Sequence, residues 1–257
     1  MDEIRNTGLK ILGNIPWGSH LCAFYETQRD LMDIIIPFFN AGLENNECCI
    51  WITPPYSDVR IDDAKNLLYK SIPEFDRYIS KGSMEFKDGL NWYLSNNSFY
   101  IDDIIKKWDG LLQKFKKSKY TGIRVSGDVS WLEEKFRKDF KDYEMKLNQF
   151  ISKHPMIILC TYPLEFSKGL DVLDAVKEHQ FAIARRSGNW QVIETPELQA
   201  AKAQIQMMNE ELEAKVEERT RELQFTNKKL LNEICEREKA EVLLKQSEDN
   251  IRTIIDA

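Results

Sequence analysis

No run in this sequence approaches the roughly 18 consecutive apolar residues that a membrane-spanning helix needs. The densest, Ile34–Phe39 and Met156–Cys160, are far shorter, so no transmembrane span is expected. Nor does the start carry the basic, apolar and small-residue series of an export signal, which predicts a cytoplasmic chain. Cys-x-x-Cys pairs are missing as well. The cysteines, Cys22, Cys48, Cys49, Cys160 and Cys235, are odd in number; without an export signal they read as reduced, mostly buried thiols and not as a disulfide framework. Positive charge is not in excess either. A net charge of −6 argues against a nucleic-acid partner. No Ser/His/Asp or Cys/His arrangement fixes a nucleophile and its base.

Against these absences stands a hydrophobic content of 42%, enough for a core, beside 30% charged residues and a mean hydropathy of −0.48. The combination predicts a globular part joined to a long solvated helix. The stretch from His20 to Pro54 organises the globular part. Leu21–Tyr25 and Cys48–Ile52 are apolar runs without alternation, as in strands covered on both faces. Between them Leu31, Ile34, Ile35 and Phe38 recur at helical spacing, and Gly42 stands where a left-handed helix end is expected. Pro54 and Pro55 stop the second strand. A βαβ unit of this kind predicts a parallel sheet. Further strands are expected at Met84–Phe86, Tyr120–Val125 and Met156–Tyr162, with helices at Asp62–Lys70, Pro73–Ser80, Ile104–Phe115 (capped by Asp102 or Asp103), Phe136–Lys153 and Val172–His179. Asn91–Tyr100 reads as an aromatic-rich loop, and Phe181–Arg185 with Trp190–Ile193 as a hairpin around Ser187-Gly188-Asn189. Alternating strands and helices predict a three-layer α/β domain over residues 1–195.

Pro196 marks a boundary. From Glu197 to Ser247 glycine and proline vanish. Leu198, Ile205 and Leu212 are spaced by heptads, and so are Val216, Leu223 and Leu230, offset by four residues. Such an offset is a stutter in a coiled coil, so a parallel dimer is expected over residues 196–247. A single amphipathic helix packed on its own domain is the alternative.

Ligands of open α/β sheets lie at the carboxyl ends of the strands. A phosphate-binding loop there would read Gly-x-x-x-x-Gly-Lys-[Ser/Thr], cradling phosphates with backbone N–H groups. This chain has Tyr25-Glu26-Thr27-Gln28-Arg29-Asp30, with no Gly, no Lys and two carboxylates. Gly13 to Ser19 comes near the pattern but lacks the Lys and precedes the strand. Geometry nominates Tyr25, Glu26, Thr27, Thr53, Trp92, Tyr93, Asp128, Trp131, Thr161 and Tyr162 for a small, weakly polar ligand. The plain alternatives are that Asp128 caps a helix or sits in a loop, and that the aromatics close the core. His20 and Cys22 share a strand face; with Cys160 and His179 they could supply a His₂Cys₂ metal set, although the spacing matches no compact zinc motif. No cofactor can be named.

The series Trp17–Thr27, Ala41–Glu47, Trp51–Thr53, Trp92-Tyr93, Gly122–Arg124, Trp131-Leu132, Asp142–Glu144, Cys160–Tyr162 and His179–Ala182 resembles the MEDS (methanogen/methylotroph sensory) domain over about residues 8–195. That resemblance implies a RecA/KaiC-like fold with a degenerate nucleotide site, and the sensing of small methylated or halogenated hydrocarbon derivatives. It identifies no binding residues. Leu212–Leu223 further resembles the connector of sensor histidine kinases, and Glu238–Ala257 the opening of a PAS domain, which residues 248–257 would begin. No phosphoacceptor-His or ATP-binding kinase segment follows, so the chain is expected to be a truncated product or a fragment and not an enzyme by itself. The expectation is a cytoplasmic sensory input module that binds a small molecule and signals through a dimeric coiled coil to downstream domains. A RecA-like nucleotide-binding protein or NTPase, and a ligand-free interaction scaffold, are the rivals.

Overall fold

Runs of apolar residues without alternation become strands with helices on both faces, because each face of such a strand must leave water. The computed structural model describes residues 3–54, 61–165, 167, 169–186, 188–193 and 196–255. A short ribbon, β1 (Ile4–Asn6) with β2 (Asn14–Pro16), leads into β3 (Ser19–Tyr25), α1 (Gln28–Glu44) and β4 (Cys48–Thr53). Then come α2 (Ile61–Ser71), α3 (Phe75–Ser80), β5 (Met84–Asp88), α4 (Gly89–Tyr93), and the two-residue strands β6 (Leu94–Ser95) and β7 (Ser98–Phe99). They are followed by α5 (Ile101–Lys116), β8 (Ile123–Asp128), α6 (Arg137–Ile151), β9 (Met156–Pro163), α7 (Gly169–Glu178), β10 (Phe181–Arg186) and β11 (Asn189–Ile193). The last element is α8 (Pro196–Ile255), 60 residues long.

Seven strands form one sheet in the order β11-β10-β3-β9-β8-β4-β5. Every pairing is parallel except the β10–β11 hairpin at one edge. Side chains alternate, so Leu21, Ala23 and Tyr25 pack with α1 while Cys22 and Phe24 pack with α5, α6 and α7. The first strand after the ribbon, β3, lies between β9 and β10, the last two of the parallel strands. The chain therefore turns back on itself around β3, the kind of switch point where a crevice opens at the strand ends.

The expected βαβ unit forms, and its strands are parallel, with β9 and β8 inserted between β3 and β4. Several local readings change. Gly42 lies inside α1 and not at its end; a Cβ there would come within 2.8 Å of the Arg124 side chain and Cys49 Sγ. Asn46, at φ 58°, takes the left-handed position instead. Asn91–Tyr100 is not a loop: it holds the end of α4 and the β6–β7 hairpin, whose turn residues Asn96 and Asn97 both have positive φ (50° and 58°). Asparagine tolerates that conformation, as two-residue hairpin turns demand. Asp102 and Asp103 fill the first turn of α5, where they complement the helix dipole, while Tyr100 holds the cap position without a side-chain bond. The fourth expected strand starts three residues later than its apolar run and continues to Asp128. Pro55, Ser187, and the 194–195 and 256–257 ends of the expected boundaries lie outside the described residues.

Arg124 and Glu47, both fully buried, form a two-pronged ion pair (2.6 and 3.1 Å) beside Gly42. Arg124 also donates to the carbonyls of Phe38 (2.8 Å) and Asn6 (2.8 Å), tying β8 to α1 and to the first ribbon. Residues 3–193 and the helix α8 are separate compact units. Along α8 the described side chains, including Ile205, Leu212, Val216, Leu223 and Leu230, are exposed, while the side chain of Leu198 lies outside the described set. Among the described residues no helix is long and apolar enough to cross a membrane.

Candidate functional site

The carboxyl ends of β3, β8 and β9 bring three nominated residues together. Asp128, the last residue of β8 and neither a helix cap nor a loop residue, accepts hydrogen bonds at Oδ2 from Tyr25 Oη (2.8 Å) and Thr161 Oγ1 (2.8 Å), and at Oδ1 from the Ser130 N–H (2.9 Å). Burial raises its carboxyl above the ordinary range, with these donors opposing. Buried, the three knot adjacent strands together, with both hydroxyl hydrogens engaged on the Asp128 carboxylate. The nominated aromatics fill core. Tyr93 stacks on Trp131 at 4.7 Å and 16°, its hydroxyl over Gly127 where a Cβ would meet it at 2.3 Å. Trp92 sets its edge against Trp108. Thr53 donates to the Lys87 carbonyl (3.2 Å).

Thr27 and Asp30 close the start of α1 as a capping box: Thr27 Oγ1 accepts from the Asp30 N–H (3.2 Å), and Asp30 Oδ2 from the Thr27 N–H (3.0 Å). Arg185 of β10 pairs with the other oxygen of Asp30. The start of a helix favours an anionic group such as phosphate; here the chain's own carboxylate sits there. Glu26 is exposed beside it.

The nominated metal residues converge, with one exchange. In the β3–β9 register Cys22 pairs with Cys160 and His20 with Ile158, putting His20 and Cys160 on the α6–α7 face. His179, just past α7, stacks against His20 with ring centroids 4.0 Å apart. Cys22 turns toward the Ala175 carbonyl (3.8 Å), and Glu144 of α6 takes the fourth place. The ligand atoms of His20, Glu144, Cys160 and His179 all lie within 4.8 Å of one another, and all four residues are buried.

Their hydrogen bonds fix the tautomers. His179 Nδ1 lies 2.7 Å from the Ala175 carbonyl, which can only accept, so Nδ1 carries the proton and Nε2 a lone pair. Asn148 Nδ2 donates to the Glu178 carbonyl (2.8 Å), which turns Oδ1 toward His20 Nδ1 (2.8 Å). His20 Nε2 therefore also presents a lone pair, 3.2 Å from Cys160 Sγ and 3.7 Å from Glu144 Oε2. His179 Nε2 is 3.5 Å from the same Glu144 oxygen. Neither Glu144 oxygen nor His179 Nε2 has a hydrogen-bond partner. Burial drives each group toward neutrality: it lowers the His20 imidazole to about 4, against the Asn148 hydrogen bond, and His179 well below its ordinary value, helped by His20. It raises the Cys160 thiol and lifts Glu144 to about 8, with Glu178 adding to the effect.

A cleft of about 60 Å³ lies between α6 and α7, walled by Leu132, Phe140, Tyr162 and Ala175, with Glu144 and Glu178 also lining it. Arg137 with Asp171, and Lys141 with Asp174 (3.6 Å), link α6 to α7 beside it. Of the ten residues nominated for a ligand, Tyr162 lines this cleft. Glu144 and Asn148 were not nominated, yet a signal for Glu144 exists: it interrupts the apolar stripe Phe140, Tyr143, Leu147, Ile151 of α6.

A family model described as the methanogen/methylotroph, DcmR sensory domain matches residues 19–180. The transcriptional repressor DcmR of Methylorubrum extorquens is 23% identical over 187 residues, 70% of this chain and 65% of that protein, so the match spans less than two thirds of that relative. Among solved structures the KaiC-like protein PH0186 of Pyrococcus horikoshii is similar with a TM-score of 0.50 at 17% identity, over 72% of this chain and 81% of that one. The flagellar accessory protein FlaH of Methanocaldococcus jannaschii gives 0.45 at 14%, over 74% and 85%. The α/β unit thus has a RecA-like fold of the KaiC type.

Proposed function

Since this chain belongs to the methanogen/methylotroph, DcmR sensory-domain family, we propose that its α/β unit senses a small molecule, possessing for that purpose the cleft between α6 and α7. Residues 196–247 carry the signal as a parallel coiled-coil dimer to PAS- and histidine-kinase-type domains, of which residues 248–257 resemble the beginning, in the cytoplasm. The observation that carries the reading is the cleft, which combines the apolar walls of Leu132, Phe140, Tyr162 and Ala175 with the carboxyls of Glu144 and Glu178 and the charged pairs that link α6 to α7. The dimer is supported by the apolar heptad positions of α8, which are exposed in a single chain and which a partner helix would cover. The name of the DcmR relative, a transcriptional repressor, is compatible with a sensory input serving a different output.

A nucleotide-binding role draws on the fold alone. The Asp30 carboxylate at the start of α1 opposes it, because it would repel the phosphates that this helix end otherwise attracts. Micromolar binding of ATP would revive it. The reading is tested by native mass spectrometry of the protein purified from its own host, then of the same sample denatured. A dimer carrying an organic molecule lost on denaturation is the expected result and gives the ligand class. A monomer without bound mass overturns both parts of the reading.

A further inference from the structure

We propose that His20, His179, Cys160 and Glu144 form a buried binding site for a divalent transition-metal ion of the zinc class. The inference is independent of the sensory reading, since it rests on donor geometry alone. A tetrahedral ion with bonds of about 2.0–2.3 Å spaces its donors about 3.3–3.8 Å apart. Of the six separations among the four donor atoms, three are 3.2, 3.5 and 3.7 Å and the rest are no more than 4.8 Å. Both imidazoles aim lone pairs inward and are held from behind, His20 by Asn148 and His179 by the Ala175 carbonyl, which is how metal-binding histidines are oriented.

Lone pairs of both imidazoles converge on the Glu144 carboxyl, and neither Glu144 oxygen nor His179 Nε2 has a hydrogen-bond partner in an interior where unpaired polar atoms are costly. A dication supplies what they miss. With Cys160 as thiolate and Glu144 as carboxylate, its two charges are balanced and the buried site is neutral overall. One sulfur, two nitrogens and one oxygen suit a borderline-soft ion and not calcium or magnesium, which take all-oxygen shells. No other group of three or more His, Cys, Asp or Glu in the described residues converges in this way.

Cobalt(II) titration of the metal-stripped full chain tests the site, because cobalt reports its ligands by visible absorption where zinc is silent. The expected result is one equivalent bound per chain, with tetrahedral ligand-field bands and a sulfur-to-cobalt charge-transfer band. Cys160→Ser should abolish that band, whereas Cys22→Ser, whose sulfur faces the Ala175 carbonyl, should keep it. Absence of the band in the unsubstituted chain, or its persistence in a folded Cys160→Ser protein, overturns the proposal. Should Cys160→Ser fail to fold, Glu144→Gln replaces it. This neutral, equal-sized side chain should weaken cobalt affinity by about tenfold or more, and an unchanged affinity would count equally against the site.

Discussion

Arg124 illustrates how much one buried charge commits at the scale of the residue. It meets Glu47 with two nitrogens and satisfies carbonyls from α1 and the first ribbon, all out of water. Replacing it with Met strands a carboxylate and those carbonyls together, so Arg124→Met should lower stability by roughly 3–5 kcal/mol. Urea denaturation followed by circular dichroism reads this directly, and adding Glu47→Leu should restore much of the loss. Asp30 makes a pH-dependent contribution. Burial raises its carboxyl, but the hydrogen bonds from Arg185 and Thr27 prevail and hold it below the ordinary 3.8. Its folded value lies below its unfolded one. The stability it adds is therefore complete above the unfolded value and drains away as pH falls through the folded one. Denaturant midpoints of Asp30→Asn should lie below the unsubstituted chain's at pH 7 and converge with them as the pH falls through the folded-state value, below 3.8. Of these residues the sequence displays only types. That Glu144 is buried follows from its place on an apolar stripe; that Glu47 meets Arg124 depends on β4 lying beside β8, which no spacing along the chain reveals.

The elements were legible where periodicity is strong. β3, β9 and α1 follow apolar runs and helical repeats, whereas the β6–β7 hairpin did not, because two asparagines mark a turn as readily as an unstructured loop. The start of β8 was misplaced for a related reason: Tyr120 and Thr121 favour strands, but Thr121 donates to the carbonyls of Asn45 and Asn46 instead. In α8 the heptads shift by four residues between Leu212 and Val216. A shift of that kind is a natural place for two alternative helix packings. Deleting four residues there should leave small-molecule affinity of the α/β unit intact and alter the output of the full-length signalling protein. Loss of affinity in the same deletion would contradict the division of labour between the two units.

At the scale of the whole molecule, the alternation of strands and helices conveyed a three-layer α/β unit, and the metal-type cluster could be half read from it. His20, Cys160 and His179 were nominated from strand faces and a helix end. Their meeting required β9 to slot against β3, and Cys22 gave way to Glu144 because α6 crosses that face at the same level. The strand-end nominees Tyr25, Asp128 and Thr161 come together and bond to one another, because β8 lies beside β9 and β9 beside β3.

The size of the α6–α7 cleft sets a limit on what such a sensor can report. About 60 Å³ accommodates roughly four water-sized groups. Even the best tiny ligands gain at most about 1.5 kcal/mol per heavy atom, which for four atoms is about 6 kcal/mol, or a Kd near 40 μM. A ligand held by this cleft alone therefore sets a response threshold of tens of micromolar or above, so the domain would report abundance of its ligand and stay silent to traces of it.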